Sequence, residues 1–176
     1  IGDMDGSYDS AMHAAKLATS PDEQADGYIA AASAAASAGA PNRAREAAKR
    51  ALSVRGSWQN MDDVGQLTKM REVYEMLVGI AGSNSRMGEM RSYYSEIADL
   101  LRRQLELQPE SIALKRSLAE ALGVVGLPFG QGSPENKKHL LRESLELRKE
   151  VLATEPKSRQ FLEDTFHAYS RYFLNA

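Results

Sequence analysis

Apolar residues recur at helical spacing along most of the chain, most clearly between Tyr93 and Gly126. Two stripes flank Pro109, with members three or four residues apart: Tyr94, Ile97, Leu101 and Leu105, then Leu114, Leu118, Leu122 and Val125. Each stripe covers one side of a helix. Two such helices alone cannot bury both stripes, so the pattern predicts similar helices on either side.

The same reading divides the rest of the chain into helices separated by turns marked with glycine or proline. The predicted helices are Tyr8 to Ala18, Pro21 to Ala38, Pro41 or Asn42 to Arg55, Met61 or Asp62 to Ala81, Pro134 to Thr154, and a last one carrying Leu162, Phe166, Tyr169 and Phe173. No stretch alternates with the period of two that is typical of strands. The predicted fold class is therefore all-α, with about eight helices.

Serine, proline and glycine residues indicate where several predicted helices begin or end. Ser20 with Pro21, and Ser133 with Pro134, are typical of helix starts, because serine caps free amides and proline suits the first helical turn. Trp58 lies in a predicted linker and is interpreted as a packing residue. The segment from Leu127 to Lys138 is rich in glycine and proline, which excludes a continuous helix and predicts a loop before the helix restarts at Ser133 and Pro134.

Composition and charge narrow the function classes. The 176 residues carry 22 basic and 24 acidic side chains, well mixed, so the basic surface expected of a nucleic-acid-binding protein is not visible. The chain has no cysteine, which excludes disulfides, thiolate zinc sites and thiol nucleophiles. No apolar run approaches the roughly 20 residues that span a bilayer, so membrane insertion is not predicted.

The first residues, IGDMDGSYDS, lack the features of a signal peptide and an initiator methionine. This favours a fragment of a larger protein, with residues 1–176 forming a single domain. The sequence does not determine the cellular compartment, and the cytoplasm is favoured. The alanine-rich composition indicates a bacterial source.

The sequence does not group the residues that a catalytic or metal site needs. His13, His139 and His167 fall on three different predicted helices, whereas a metal or catalytic site needs several groups that converge. The FGQGS segment lacks the Lys-Ser/Thr ending of a phosphate-binding loop and does not follow a strand. We therefore predict no enzyme activity, no metal and no cofactor.

Aromatic residues crowd the carboxyl-terminal helix. Five of the chain's twelve aromatic residues lie there: Phe161, Phe166, Tyr169, Tyr172 and Phe173. If this helix lacks a partner helix, its apolar surface is a candidate interface with another copy, a neighbouring domain or a partner. The alternative is a terminal cap that folds back on the preceding helices.

A loose internal repeat accompanies the helices. Glycines assigned to turns fall at Gly6, Gly39, Gly82 and Gly126. In GAPNRAREAAKRAL and RSLAEALGVVG the chain resembles the tetratricopeptide repeat (TPR) family, with small residues and a turn glycine at the family's positions. The segment ESLELRKEVLATEP is similar to the longer repeats of kinesin light chains. The family's bulky residue early in the first helix appears only as Tyr28.

The resemblance implies a right-handed α-solenoid of antiparallel helix pairs, whose first helices line a concave groove for a peptide or a partner's helix. The groove candidates are Ser33, Ser37, Lys69, Glu72, Arg116, Glu120, His167 and Arg171. The lysine and asparagine pattern by which chaperone-binding relatives hold a terminal carboxylate is absent, with Ile29, Ser33 and Ala113 at the matching positions.

These observations favour a non-enzymatic protein-interaction scaffold that binds a protein or peptide. One alternative is the sensor arm of a signalling protein, which would control an attached kinase, protease or transcription regulator. A second alternative is a helical enzyme, which would require a polar cluster converging in one pocket.

Overall fold

A computed structural model describes residues 4–56, 61–127 and 133–155, together with positions 161, 163, 165–167 and 170. All regular secondary structure in these residues is α-helical, so the all-α prediction is confirmed for them. The helices are α1 (Met4–Leu17), α2 (Pro21–Ser37), α3 (Pro41–Arg55), α4 (Val64–Ser83), α5 (Met87–Leu107), α6 (Ile112–Val125) and α7 (Pro134–Thr154). Helical residues also recur between 161 and 170.

Side-chain caps fix the starts of four helices. The hydroxyl oxygens of Ser20, Ser111 and Ser133 each accept a hydrogen bond from a backbone amide three residues later, and Asp63 caps α4 in the same way. The helix starts predicted at Ser20 and Ser133 are confirmed. A positive φ of 70° at Gly39 forms the turn between α2 and α3, where glycine avoids the strain of a side chain.

Two of the glycines assigned to turns lie inside helices instead. Gly6 is within α1, which begins at Met4 rather than Tyr8, and Gly82 is within the last turn of α4. A turn lies at Ser85 instead, where φ is 55°, and α5 begins at Met87, ahead of the predicted Tyr93. A glycine costs a helix about 1 kcal/mol, which the flanking helical residues can offset, so a glycine alone does not mark a turn.

The chain divides into two compact units, Ile1–Met90 and Arg91–Ala176. Unit 1 packs α1 on α2, α2 on α3, and α3 on α4. Its core is built largely from alanine, which allows helices to approach closely: Ala15, Ala25, Ala31, Ala32, Ala35, Ala44, Ala47, Ala48 and Ala51 are buried. Gly27 of α2 lies directly against Ala15 of α1.

Unit 2 has a core of larger side chains. Helices α6 and α7 pack together, and Gly126 lies directly against Leu141. The buried hydroxyl of Ser144 donates a 2.6 Å hydrogen bond to the carbonyl of Ala119. Helix α5 is joined to α6 by Arg91, whose guanidinium donates to the carbonyl of Val125.

Some predictions fall outside the described residues. They concern Trp58, the loop residues 128–132, and Tyr169, Arg171, Tyr172 and Phe173. In the part of the chain that is described, none of the helices combines the length and apolar character needed to cross a bilayer.

Candidate functional site

In unit 1, an ion pair links α2 to α4. Asp26 of α2 accepts a 2.8 Å hydrogen bond from Nζ of Lys69 on α4. Ser33 and Ser37 lie seven and eleven residues after Asp26, so helical geometry places them on the same exposed face of α2. We call the five residues Asp26, Ser33, Ser37, Lys69 and Glu72 the α2–α4 strip.

The sequence-predicted groove residues of unit 1 all belong to this strip. Ser33, Ser37, Lys69 and Glu72 are exposed. Glu72 lies one turn after Lys69 on α4, so the strip presents small hydroxyl groups on one helix and both charge signs on the other. Sequence reasoning missed Asp26, which carries the contact between the two helices.

Asp26 also holds a buried cation. Its second interaction is a 2.7 Å bond from Nη2 of Arg55 at the end of α3, whose side chain is only 1% exposed. The hydrogen bond from Lys69 is the main cause that lowers the pKa of the Asp26 carboxyl; attraction to both cations adds to it, and partial burial opposes it. One carboxylate of the strip therefore links α2 to both α3 and α4.

In unit 2, Arg116 has internal partners. Its guanidinium is hydrogen bonded to the carboxylate of Glu155 and lies over the ring of Phe161, 5.1 Å from the ring centroid. Glu120, one turn later on α6, is exposed. His167 is also exposed and meets the ring of Phe166 edge-on at 6.0 Å. The predicted groove position Arg171 lies outside the described residues.

The aromatic residues of the carboxyl-terminal helix divide between core and surface. Phe161 is 3% exposed, and Arg148 lies over its ring at 5.3 Å in addition to Arg116. Phe161 is therefore an internal packing residue, contrary to its proposed place on an uncovered surface. Phe166 is 69% exposed and remains the candidate interface residue among those that the structure describes.

A cleft of about 350 Å³ opens between α5, α6 and α7 in unit 2. Four apolar and four polar residues line it: Ala98, Leu122, Val125 and Leu140, and Ser95, Arg102, Asn136 and His139. Sequence reasoning did not predict this cleft, because its residues come from three helices and share no local motif.

Among the residues that the structure describes, titratable side chains do not converge in the way a metal ion requires. Within the described ranges, no group of three or more histidine, aspartate or glutamate side chains could hold a metal. His13, His139 and His167 lie on separate helical segments, as the sequence predicted.

Comparison of the chain with protein-family models, with curated proteins and with solved structures found no match.

Proposed function

We propose that this chain is a protein-interaction scaffold in which stacked antiparallel helix pairs present the α2–α4 strip to a peptide or helix of a partner. The TPR resemblance implies this architecture. Its support in the structure is the order of contacts within each unit. The sequence neighbours α1 and α2, α2 and α3, α3 and α4, and α6 and α7 pack together.

Contacts between next-but-one helices also support the stack. Arg43 of α3 lies over the ring of Tyr8 on α1. Arg102 of α5 forms a two-point ion pair with Glu143 of α7. In a stack of helix pairs, each helix contacts the equivalent helix of the next pair, so contacts of this order are expected.

The single observation that carries the proposed function is the joining of α2 and α4 by Asp26 and Lys69. The exposed serines Ser33 and Ser37 share the face of α2 that carries Asp26, and Lys69 and Glu72 supply both charge signs on α4. A surface of this kind lets a partner's backbone or helix approach closely and contact both charge signs. Hydrogen bonds and charge pairs at such a surface select partners more than they add raw affinity.

Site-specific cross-linking tests the proposal directly. Because the chain has no cysteine, Ser33→Cys or Ser37→Cys provides a unique thiol for a benzophenone label. We expect partner proteins to cross-link from both positions under ultraviolet light. Ser10→Cys is the matched control, since Ser10 is an exposed serine on α1, outside the strip. Equal cross-linking from Ser10, or cross-linking from Ser10 alone, would place the partner elsewhere and refute the strip as the binding surface.

A further inference from the structure

We propose that the exposed face of α3 binds a short acidic segment of a partner protein. The face consists of Arg43, Glu46, Lys49 and Arg50, all of which are exposed, and we call it the α3 basic face. It shares no residue with the α2–α4 strip, so it is a second interaction surface of unit 1.

Helix α3 concentrates positive charge that the rest of unit 1 does not share. Its 15 residues include five arginine or lysine side chains and one glutamate, which gives the helix a net charge of +4. Residues 1–90 together carry nine basic and 12 acidic side chains, a net charge of −3, so unit 1 without α3 carries −7. The nearly equal totals of the whole chain therefore conceal a local separation of charge.

Two of the five cations of α3 are used inside unit 1. The side chain of Arg55, only 1% exposed, is bonded to Asp26, and half-buried Arg45 is paired with Glu89 at 3.4 Å. The remaining three cations are exposed: Arg43, Lys49 and Arg50. Their charge is therefore presented to solvent rather than spent on holding the unit together.

Helical spacing places the three exposed cations on one side of α3. Arg43 and Arg50 are seven residues apart, and Lys49 lies three residues after Glu46, which is itself three residues after Arg43. The guanidinium of Arg43 lies over the ring of Tyr8 on α1, 5.5 Å from the ring centroid. This contact holds the cation in place on the surface, which lowers the cost of ordering it when a partner binds.

The face keeps a net charge of +2 after its own ion pair is counted. Its single carboxylate, Glu46, is bonded to Arg50 at 2.6 Å, and both side chains are well exposed. An exposed pair within one helix contributes little to stability, so a partner's carboxylate can share or replace it. Among the residues that the structure describes, no carboxylate is paired with Lys49.

The dimensions and composition of the face favour a short, hydrophilic, acidic occupant. The helix rises about 10 Å from Arg43 to Arg50, which is the reach of about three extended residues. The other exposed residues of α3, Asn42 and Ser53, are polar, so the face offers no apolar surface to lipid chains or to a hydrophobic helix. A long polyanion such as nucleic acid would extend beyond the face and meet the net negative charge of the remaining unit. Recognition of acidic motifs by clustered arginines is a recurrent mode of peptide binding.

A matched peptide series tests this inference on the intact chain. The probes are three labelled octapeptides with Gly-Ser ends that differ only in their four central residues, which are glutamate, glutamine or lysine. Amide shifts in a ¹⁵N NMR titration locate the binding, and fluorescence anisotropy measures the affinity. We expect the glutamate peptide to shift amides between Arg43 and Arg50 saturably and to bind about fivefold or more tightly than the other two. Its affinity should fall about fivefold or more between about 25 and 300 mM salt, because salt screens exposed charges.

Three lysine variants with the same change of charge locate the site. Lys49→Glu should weaken the glutamate peptide about fivefold or more, whereas Lys149→Glu, at an exposed lysine of α7, should leave its affinity unchanged. Lys69→Glu reports on the α2–α4 strip and should also leave it unchanged. Circular dichroism verifies that each variant is folded.

Four results would overturn the proposal. They are no saturable binding of the glutamate peptide, equal binding of the glutamine peptide, an equal loss of affinity in Lys149→Glu or Lys69→Glu, and tighter binding of a single-stranded oligonucleotide through the same amides of α3. The last result would show that the face binds nucleic acid in place of an acidic protein segment.

Discussion

The close contact between α1 and α2 makes a sharp prediction about Gly27. A methyl group added at this position would lie 2.7 Å from Cβ of Ala15 and 2.8 Å from its Cα. Both distances are well below ordinary contact, and the second involves the backbone of α1. A rotation of a flexible side chain cannot relieve the clash, so Gly27→Ala must push the two helices apart.

The magnitude follows from a comparison with Gly79. Alanine in place of a helical glycine gains about 1 kcal/mol from helix propensity. At Gly79 of α4, in the same unit, a new methyl group would meet nothing within 4 Å, so Gly79→Ala should realise that gain. At Gly27 the same gain is opposed by overpacking, which costs about 1 to 3 kcal/mol. The difference between the two variants isolates the steric cost.

Thermal and urea unfolding followed by circular dichroism at 222 nm measures this difference. For a chain of this length, 1 kcal/mol corresponds to about 2 to 4 °C in melting temperature. Gly27→Ala should therefore melt about 2 to 12 °C below Gly79→Ala. Equal stabilisation of the chain by both substitutions would refute the close packing of α1 on α2.

Three further predictions concern the other contacts. Asp26→Asn removes the carboxylate that binds buried Arg55 and should destabilise unit 1 by about 2 kcal/mol at pH 7, measured by urea unfolding. Because the pKa of Asp26 is lower in the folded chain, its contribution to the free energy of unfolding is present above the unfolded pKa of about 4 and is lost as pH falls through the folded pKa. The difference in stability between wild type and Asp26→Asn should therefore shrink in acid. A difference that does not change with pH would contradict this cause. Phe161→Ala should lower the free energy of unfolding by about 3 kcal/mol because the ring is buried, whereas Phe166→Ala, at an exposed ring, should change it by less than about 0.5 kcal/mol. Similar losses of stability in both variants would contradict the burial of Phe161 alone. Ser20→Ala removes the cap of α2 and should cost about 1 kcal/mol in the same assay, and an unchanged midpoint would argue against the cap.

Local signals in the sequence predicted most of the helices. Ser20 and Ser133 mark helix starts because their role depends on residues only three positions away. The small residues of α2 lie on opposite faces of the helix, since Ala31 and Ala35 are buried in the core and Ser33 is exposed.

Features that depend on distant residues could not be predicted in this way. Asp26 has partners 29 and 43 residues further along the chain, and neither spacing follows from helical periodicity. The buried position of Phe161 likewise depends on Arg116 and Arg148, which belong to two other helices. Gly6 and Gly82 misled the assignment of turns because glycine is tolerated inside a helix when its neighbours hold the helix together.

The central claim is that the α2–α4 strip is the surface on which a partner binds. The most direct test is the affinity of a cross-linked partner for Ser33→Trp, measured by calorimetry against Ser10→Trp. Serine and tryptophan have similar helix propensities, so both variants should fold. The account predicts that Ser33→Trp weakens binding about tenfold or more while Ser10→Trp leaves it unchanged. An unchanged affinity for Ser33→Trp would contradict it.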